Sequence, residues 1–474
     1  MIAALIRFEL RRLRRERILW WFFGVVVCLF IASIVLGMVR HNRQATAQSD
    51  LQRLVRQQWV SQPDRHPHRV AHYGSFAFRP PDPLSLIEPG AEAHAGTMVY
   101  LEAHRRNPVV ASDTAQQGSL MRFGELSVAL ILQIFVPLFL ILLAFGSIAR
   151  ERETRTWELV ISQGVSPRVV VMAKGLAVFI VALLVATLAL VVASAFALWH
   201  ADSAAPDVAA RLVTLWVAYV VFFAICSFGA VALSFFASTA RAALIALLAL
   251  WIASGMVLPR MAAFAAEKLY PAPSRAELDL ALAESLRQIG DSHNPSDPYF
   301  ARLKERYLAR HEVERVEELP INFGGIVMRE AETLTSQVYH QHYERLFATW
   351  REQEKLVRAI SLWSPFIAIK AVSAALAATD TGSYAGFQQQ AEAHRYDIIQ
   401  RLNELHAHRI HWHNDRAQRL DRSLWRQFPA FHYQYPSPTR ALHDVRDAAS
   451  GLVVWLILVM GLIWLVPNRW EQLR

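Results

Sequence analysis

Six apolar runs punctuate the 474-residue chain, at 18–39, 125–149, 175–199, 212–240, 242–259 and 450–467. About 20 residues at a rise of about 1.5 Å each cross the roughly 30 Å hydrocarbon core of a bilayer, and every run falls within or near that length. One such run could be a core helix of a soluble domain. Six cannot, because a chain that is 54% hydrophobic with mean hydropathy +0.22 has too little polar surface to cover them. The sequence therefore predicts an all-α membrane protein with six transmembrane helices. Pro137 inside the second run predicts a kink. The first run follows Arg11, Arg12, Arg14, Arg15 and Arg17, a leader of signal-peptide type. Its apolar stretch is longer than a signal core and no small-x-small site ends it, so it reads as a retained anchor.

Orientation follows from Lys and Arg in the short loops. The leader arginines place 1–17 on the cytoplasmic side. Alternation then places 150–174, with Arg150, Arg152, Arg155, Arg168 and Lys174, on the same side, together with the Arg241 turn and the 468–474 tail carrying Arg469 and Arg474. In the short 200–211 connection the stretch from His200 to Pro206 carries Asp202 and neither Lys nor Arg, and falls outside. Both termini are thus expected on the cytoplasmic side of the membrane that holds the chain. Two polar segments, 40–124 and 260–449, form a large, mostly helical extracytoplasmic domain built from two insertions. Cys28 and Cys226 both lie in apolar runs, so that domain is expected to hold without disulfides.

In the first insertion the Phe78-Arg79-Pro80-Pro81-Asp82-Pro83 stretch predicts extended structure and turns, with any helix short. The second reads as long helices at 276–289, 299–319, 327–362 and 386–420. Val338, Leu346, Trp350, Leu356 and Ile360 recur at near-helical spacing and predict an apolar stripe needing cover. Histidines cluster at His406, His408, His411 and His413, with His340 and His342 earlier and His66, His68 and His72 in a loop of the first insertion. His408 and His411 would share a helix face, which makes a transition-metal site physically possible. The interleaved Arg409, Trp412 and Asn414 fit a solvated amphipathic helix better, and no metal is expected.

The chain has no phosphate loop, no HExxH, no CxxCH and no GxSxG, so neither nucleotide hydrolysis nor other catalysis is expected of it. Apart from Glu125 at the edge of the second run, no Asp, Glu, Lys, Arg or His lies in the six runs, which argues against a proton or cation relay through their interiors. If the chain moves a solute, the energy comes from a partner. The loop Arg150-Glu151-Arg152-Glu153-Thr154-Arg155-Thr156-Trp157-Glu158-Leu159-Val160 alternates charge and ends in apolar residues, as a surface helix gripped by a soluble protein does. Ile2, Leu5, Ile6 and Leu13 share one side of the first segment with arginines around the rest, which suits a helix lying at the inner headgroups.

With Glu151-Arg152-Glu153, Thr156, Ser166-Pro167-Arg168 and Lys174, this loop resembles the coupling helix of permease subunits of type 2 ABC exporters. Arg155 stands where that family has glycine. Arg7-Phe8-Glu9-Leu10-Arg11-Arg12, with Arg14 and Arg15, is similar to the family's interfacial helix. His72-Tyr73-Gly74, Phe76-Ala77-Phe78-Arg79-Pro80, Leu101-Glu102-Ala103-His104, Arg122-Phe123-Gly124-Glu125-Leu126 and Ser364-Pro365 resemble a subfamily whose outer region is a domain of unknown function. The resemblance implies a non-catalytic permease that moves a substrate across or out of the inner membrane. It implies a dimer with a second copy or a related permease, and a cytoplasmic ATPase dimer that holds ATP and magnesium. Coupling would run through Glu151, Arg152, Glu153, Thr156, Trp157, Glu158 and Leu159. No cofactor on this chain and no nucleic-acid partner are expected, only the lipid bilayer around it. The competing reading is a membrane-anchored scaffold or sensor with a ligand- or metal-binding outer domain.

Overall fold

A computed structural model of the chain describes residues 2–468 apart from 93, 111–125, 202–204, 291–293, 295–296, 438, 440, 442 and 444. Asp202, the Arg122-Phe123-Gly124-Glu125 stretch and the tail arginines Arg469 and Arg474 lie outside the described residues. Helix α1, Ile2–Arg15, buries Glu9 and Leu13 and exposes Arg11, Arg14 and Arg15. Helix α2, Arg17–Val60, is 44 residues long, about 66 Å, more than twice the hydrocarbon thickness. The expectation of only short helix after residue 39 is therefore wrong. Polar residues such as Arg40 and Arg43 mark the helix leaving the membrane, not its end. Its distal turns are held by Arg56, which donates to the Phe428 and Arg426 carbonyls at 2.6 and 2.9 Å, and by Trp59, which donates to the Trp425 carbonyl at 3.0 Å.

The first insertion continues with α3, Pro67–Tyr73, and an antiparallel sheet of β1, Ser75–Phe78, β2, Met98–Glu102, and β3, Arg105–Val110, in the order β1-β2-β3. Ser75 pairs with Leu101 and Phe78 with Met98, so Ala77, Val99 and Leu101 point together into a small core with Phe387 and Phe431. Between β1 and β2 the Asp82-capped turn Pro83–Leu86 sinks Leu84, Leu86 and Ile87 into the core of the spanning bundle.

The second span is α4, Val128–Leu130, one π-helical turn at Ile131–Phe135, and α5, Val136–Ala144. The irregularity sits just before Pro137, whose ring cannot follow a regular preceding turn. After α6, Ala149–Glu153, and α7, Thr156–Ser162, the third and fourth spans are α8, Pro167–His200, and α9, Ala205–Phe236. They pack closely at Gly175, where a Cβ would fall 2.4 Å from the Phe228 ring. The fifth is α10, Ala240–Ile252, a π-turn at Ala253–Val257, and α11, Leu258–Leu269, running ten residues past its expected end at 259. Among the described residues six helices are long and apolar enough to cross a membrane.

The polar domain continues with α12, Arg275–Gln288, α13, Pro298–His311, and α14, Phe323–Ile360. Helix α13 stops eight residues before the expected end, at Glu312 in the left-handed region with φ 55°. The buried side of α14 carries Ala331, Thr335, Tyr339, Tyr343, Leu346 and Phe347. Of the expected stripe only Leu346 is fully buried, while Val338, Trp350, Leu356 and Ile360 are half-buried.

Helix α15, Pro365–Leu376, departs from the sequence reading. Its Ala368, Ile369, Val372 and Leu376 belong to the same core as Tyr219, Phe222 and Leu452 of the spans, so this part of the 260–449 segment folds back into the bundle. Helix α16, Thr381–Arg409, ends eleven residues before the expected 420 and returns along α14, so tightly at Gly325 that a Cβ there would lie 2.3 Å from the Ala407 nitrogen. Helix α17, Arg446–Trp464, is the sixth span.

Candidate functional site

The 150–174 loop is fastened at its base by buried polar contacts. Ser234 Oγ of α9 accepts from the amides of Ile148 and Ala149, each at 3.2 Å, and donates to the Phe145 carbonyl at 2.8 Å, bridging the break between α5 and α6. Lys174, 4% exposed, donates to Glu151 at 2.7 Å and also to Glu9 of α1. Glu9 takes Arg12 at 2.8 Å as well. Arg152 lies over the Phe235 ring at 4.4 Å and donates to the Phe235 carbonyl. Glu153 accepts from the Ala240 amide at 3.2 Å.

Arg155 joins α6 to α7 with φ 59° and ψ 15°, a left-handed conformation that glycine adopts at no steric cost. Thr156 Oγ1 donates to the Glu151 carbonyl at 3.2 Å and closes the corner. Trp157 is 3% exposed and packs edge-on against Phe235, with ring centroids 6.0 Å apart. Its side chain thus faces the bundle, whereas Glu158 is exposed and Leu159 is 67% exposed. After the Gly164 turn, φ 77°, Ser166 caps α8 by accepting from the Val169 amide at 3.3 Å and Pro167 occupies the first helical turn. Arg168 reaches across to the Val466 carbonyl at 3.2 and 3.0 Å and to that of Trp464, placing a cation at the carboxyl end of α17.

A family model for ABC-2 family transporter proteins matches residues 90–272, and one for a domain of unknown function, DUF3526, matches 275–434. The chain thus carries an ABC-2 permease region followed by that domain. No curated protein and no solved structure matches it. The permease belongs to a family of membrane transport subunits, and its ABC-2 region covers the loop just described.

The sequence residues sort into two groups on the structure of this permease. Glu151, Arg152 and Trp157 build the base of the loop, while Thr156, Glu158 and Leu159 face outward and Glu153 is an exposed side chain bound to the start of α10. Of the interfacial arginines, Arg12 is tied to Glu9 and to Glu16, at 2.8 and 3.3 Å, and Arg11, Arg14 and Arg15 are exposed.

At the other end of the bundle the permease has a second polar knot that sequence reading missed. Arg211 of α9 bonds Asp82 at 3.0 Å and the Leu376 carbonyl of α15 at 2.9 Å. Arg79 donates to the Ala378 carbonyl at 2.7 Å and faces Glu92 at 3.5 Å. Gln133 of the π-turn donates to Glu88 at 3.1 Å. Burial pushes the Asp82, Glu88 and Glu92 carboxyls upward. The only advance signal was Arg79 and Asp82 among prolines, since the partners come from three distant segments.

The histidines regroup. His408 is exposed and lies 3.2 Å from Glu404, and His411 and His413 fall beyond the end of α16 at Arg409, so the shared face expected of His408 and His411 does not exist. His406 instead turns inward, with Nε2 2.8 Å from Asp415 Oδ1 and its ring 4.5 Å from that of His66. Burial, then the neighbouring His406, lowers His66 to about 4.

Proposed function

We propose that this permease is the non-catalytic membrane half of an ATP-driven transporter. A separate cytoplasmic ATPase dimer, holding ATP and magnesium, grips the tip of α7 at Glu158, Leu159, Ser162 and Gln163. The permease pairs with a second copy or a related permease in a bacterial inner membrane, both termini cytoplasmic, and moves a substrate across or out of that membrane. The observation that carries this reading is a loop with an exposed apolar tip and a buried base. Leu159 stands in solvent, while Glu151, Arg152, Trp157 and Lys174 lock the same short segment to α1, α8 and α9. A push on such a tip is transmitted to several spans together, because packed elements shift as units.

The test separates tip from base. Leu159→Glu and Glu158→Arg, in the tagged full chain purified from its native membrane, are expected to abolish co-purification of a phosphate-loop ATPase while leaving the thermal melt unchanged. Trp157→Ala is expected to lower the melt itself, since emptying a buried indole site costs about 3–5 kcal/mol. Undiminished ATPase recovery with both tip variants would refute the docking surface. A wild-type preparation free of any such ATPase would refute the transporter reading and favour an anchored scaffold or sensor.

A further inference from the structure

Outside the permease machinery, one group of side chains has the composition and arrangement of a metal site. His68 and His72 are four residues apart on α3 and therefore share a face, with ring centroids 4.6 Å apart. His104, in the β2–β3 turn, brings its ring to 5.5 Å from His72 and 6.1 Å from His68. One ligand atom from each of the three lies within 4.8 Å of the others. Two elements 30 residues apart in sequence thus converge three imidazoles on one point.

The surroundings supply what a metal-bound histidine needs beyond the metal. His104 Nδ1 lies 3.4 Å from Glu332 Oε2, and the same oxygen accepts from the His104 amide at 2.9 Å. Glu332 is fully buried and is held in turn by Arg395 at 2.6 Å. A carboxylate on Nδ1 fixes the ring and leaves Nε2 as the ligand atom, the arrangement by which proteins orient metal-binding histidines. The face carrying His72 is exposed and those of His68 and His104 are half-buried, so an ion can enter and keep one open position. Behind α3, the His66–His406–Asp415 set braces the helix: His66 Nδ1 accepts from the His68 amide at 3.2 Å, and Asp415 accepts from Asn322 at 2.7 Å.

We propose that His68, His72 and His104 form a binding site for a divalent transition-metal ion that favours imidazole, zinc(II) in the first place, with Glu332 orienting His104. Imidazole nitrogens select zinc, copper and nickel over calcium and magnesium, and three protein ligands with a fourth position open is the arrangement of zinc sites that exchange a ligand. Zinc–nitrogen distances of about 2.0–2.1 Å in a tetrahedron place the nitrogens about 3.3 Å apart, so the rings close on the ion by on the order of 1 Å through side-chain rotation.

The test uses the full chain in detergent, without a polyhistidine tag and stripped with a chelator. Zinc(II) is titrated in competition with a chromophoric indicator, and cobalt(II) serves as a spectroscopic substitute. One tight equivalent and tetrahedral cobalt bands are expected. His72→Ala, at an exposed position, and His104→Asn, which tolerates the left-handed turn, should each weaken binding at least tenfold with unchanged circular dichroism. A His408→Ala/His411→Ala double variant should bind as the wild type does. No uptake by the wild type, or unchanged affinity in both the His72 and His104 variants, would overturn the site.

Discussion

Replacing Lys174 with Met tests whether the base of the loop is a charge-balanced knot. Lys174 and Arg12 face Glu9 and Glu151, two cations against the two less exposed carboxylates, with Arg12 also reaching the outer Glu16 at 3.3 Å and the side chains of Lys174 and Glu9 4% and 6% exposed. Removing the ammonium leaves both acids around one void with a single guanidinium on one side. Breaking one half of a buried pair costs about 3–5 kcal/mol. The Glu151 side chain is 18% exposed and that of Arg12 31%, so water screens part of the excess charge and the loss falls near the lower end, about 3 kcal/mol. Lys174→Met/Glu151→Gln restores the balance and should recover about 1–2 kcal/mol relative to additive single changes, within the usual range for contacting residues. Chemical unfolding in detergent, followed by tryptophan fluorescence, reads all four members of the cycle. A Lys174→Met cost below about 0.5 kcal/mol, or strict additivity, would show that the contacts are solvated and the knot is not structural.

Two further outcomes follow from local geometry. Arg155→Gly should leave α6–α7 intact and raise stability by about 1 kcal/mol, because the left-handed backbone at φ 59° then carries no Cβ penalty, whereas Arg155→Val should lower it; the same unfolding measurement decides. His394 is held below its ordinary 6.5 by burial, with His432 and Arg401 opposing its protonation and Asp397 favouring it. The unfolded chain therefore takes up this proton first, so stability falls as pH drops below about 6.5, and His394→Leu should make that part of the pH–stability curve shallower. An unchanged slope would refute this assignment.

The spans were legible because lipid-facing helices need an uninterrupted apolar composition, which survives without knowledge of neighbours. What sequence obscured was any segment whose polarity answers to a distant partner. Helix α2 carries Arg40 and Arg43 where it leaves the bundle, and those residues read as the end of a helix that continues to Val60. Helix α15 is only 12 residues long and contains Lys370, so it lacks the length by which spans are recognised, although its Ile369, Val372 and Leu376 lie in the same core. In the loop, the residue types were readable but their sides were not: Trp157 and Leu159, two positions apart on one short helix, face opposite ways. The histidine cluster draws on α3 and the β2–β3 turn, and the sequence placed His68 and His72 in a loop, where a four-residue spacing implies no shared face; the helix Pro67–Tyr73 supplies it.

The position of α15 also dictates an order of assembly. Helix α9 is complete at Phe236, yet its Arg211 must wait for the Leu376 carbonyl and for Asp82 to be docked, and its apolar neighbours Ile369 and Val372 are synthesised more than 130 residues later. During translation the bundle therefore persists as inserted but unfinished helices, with a vacancy that the ribosome has yet to supply. Truncation before residue 365 should yield a chain that integrates with its first five spans and is then recognised by quality-control proteases, whereas a separately expressed 275–474 fragment offers the missing piece in trans.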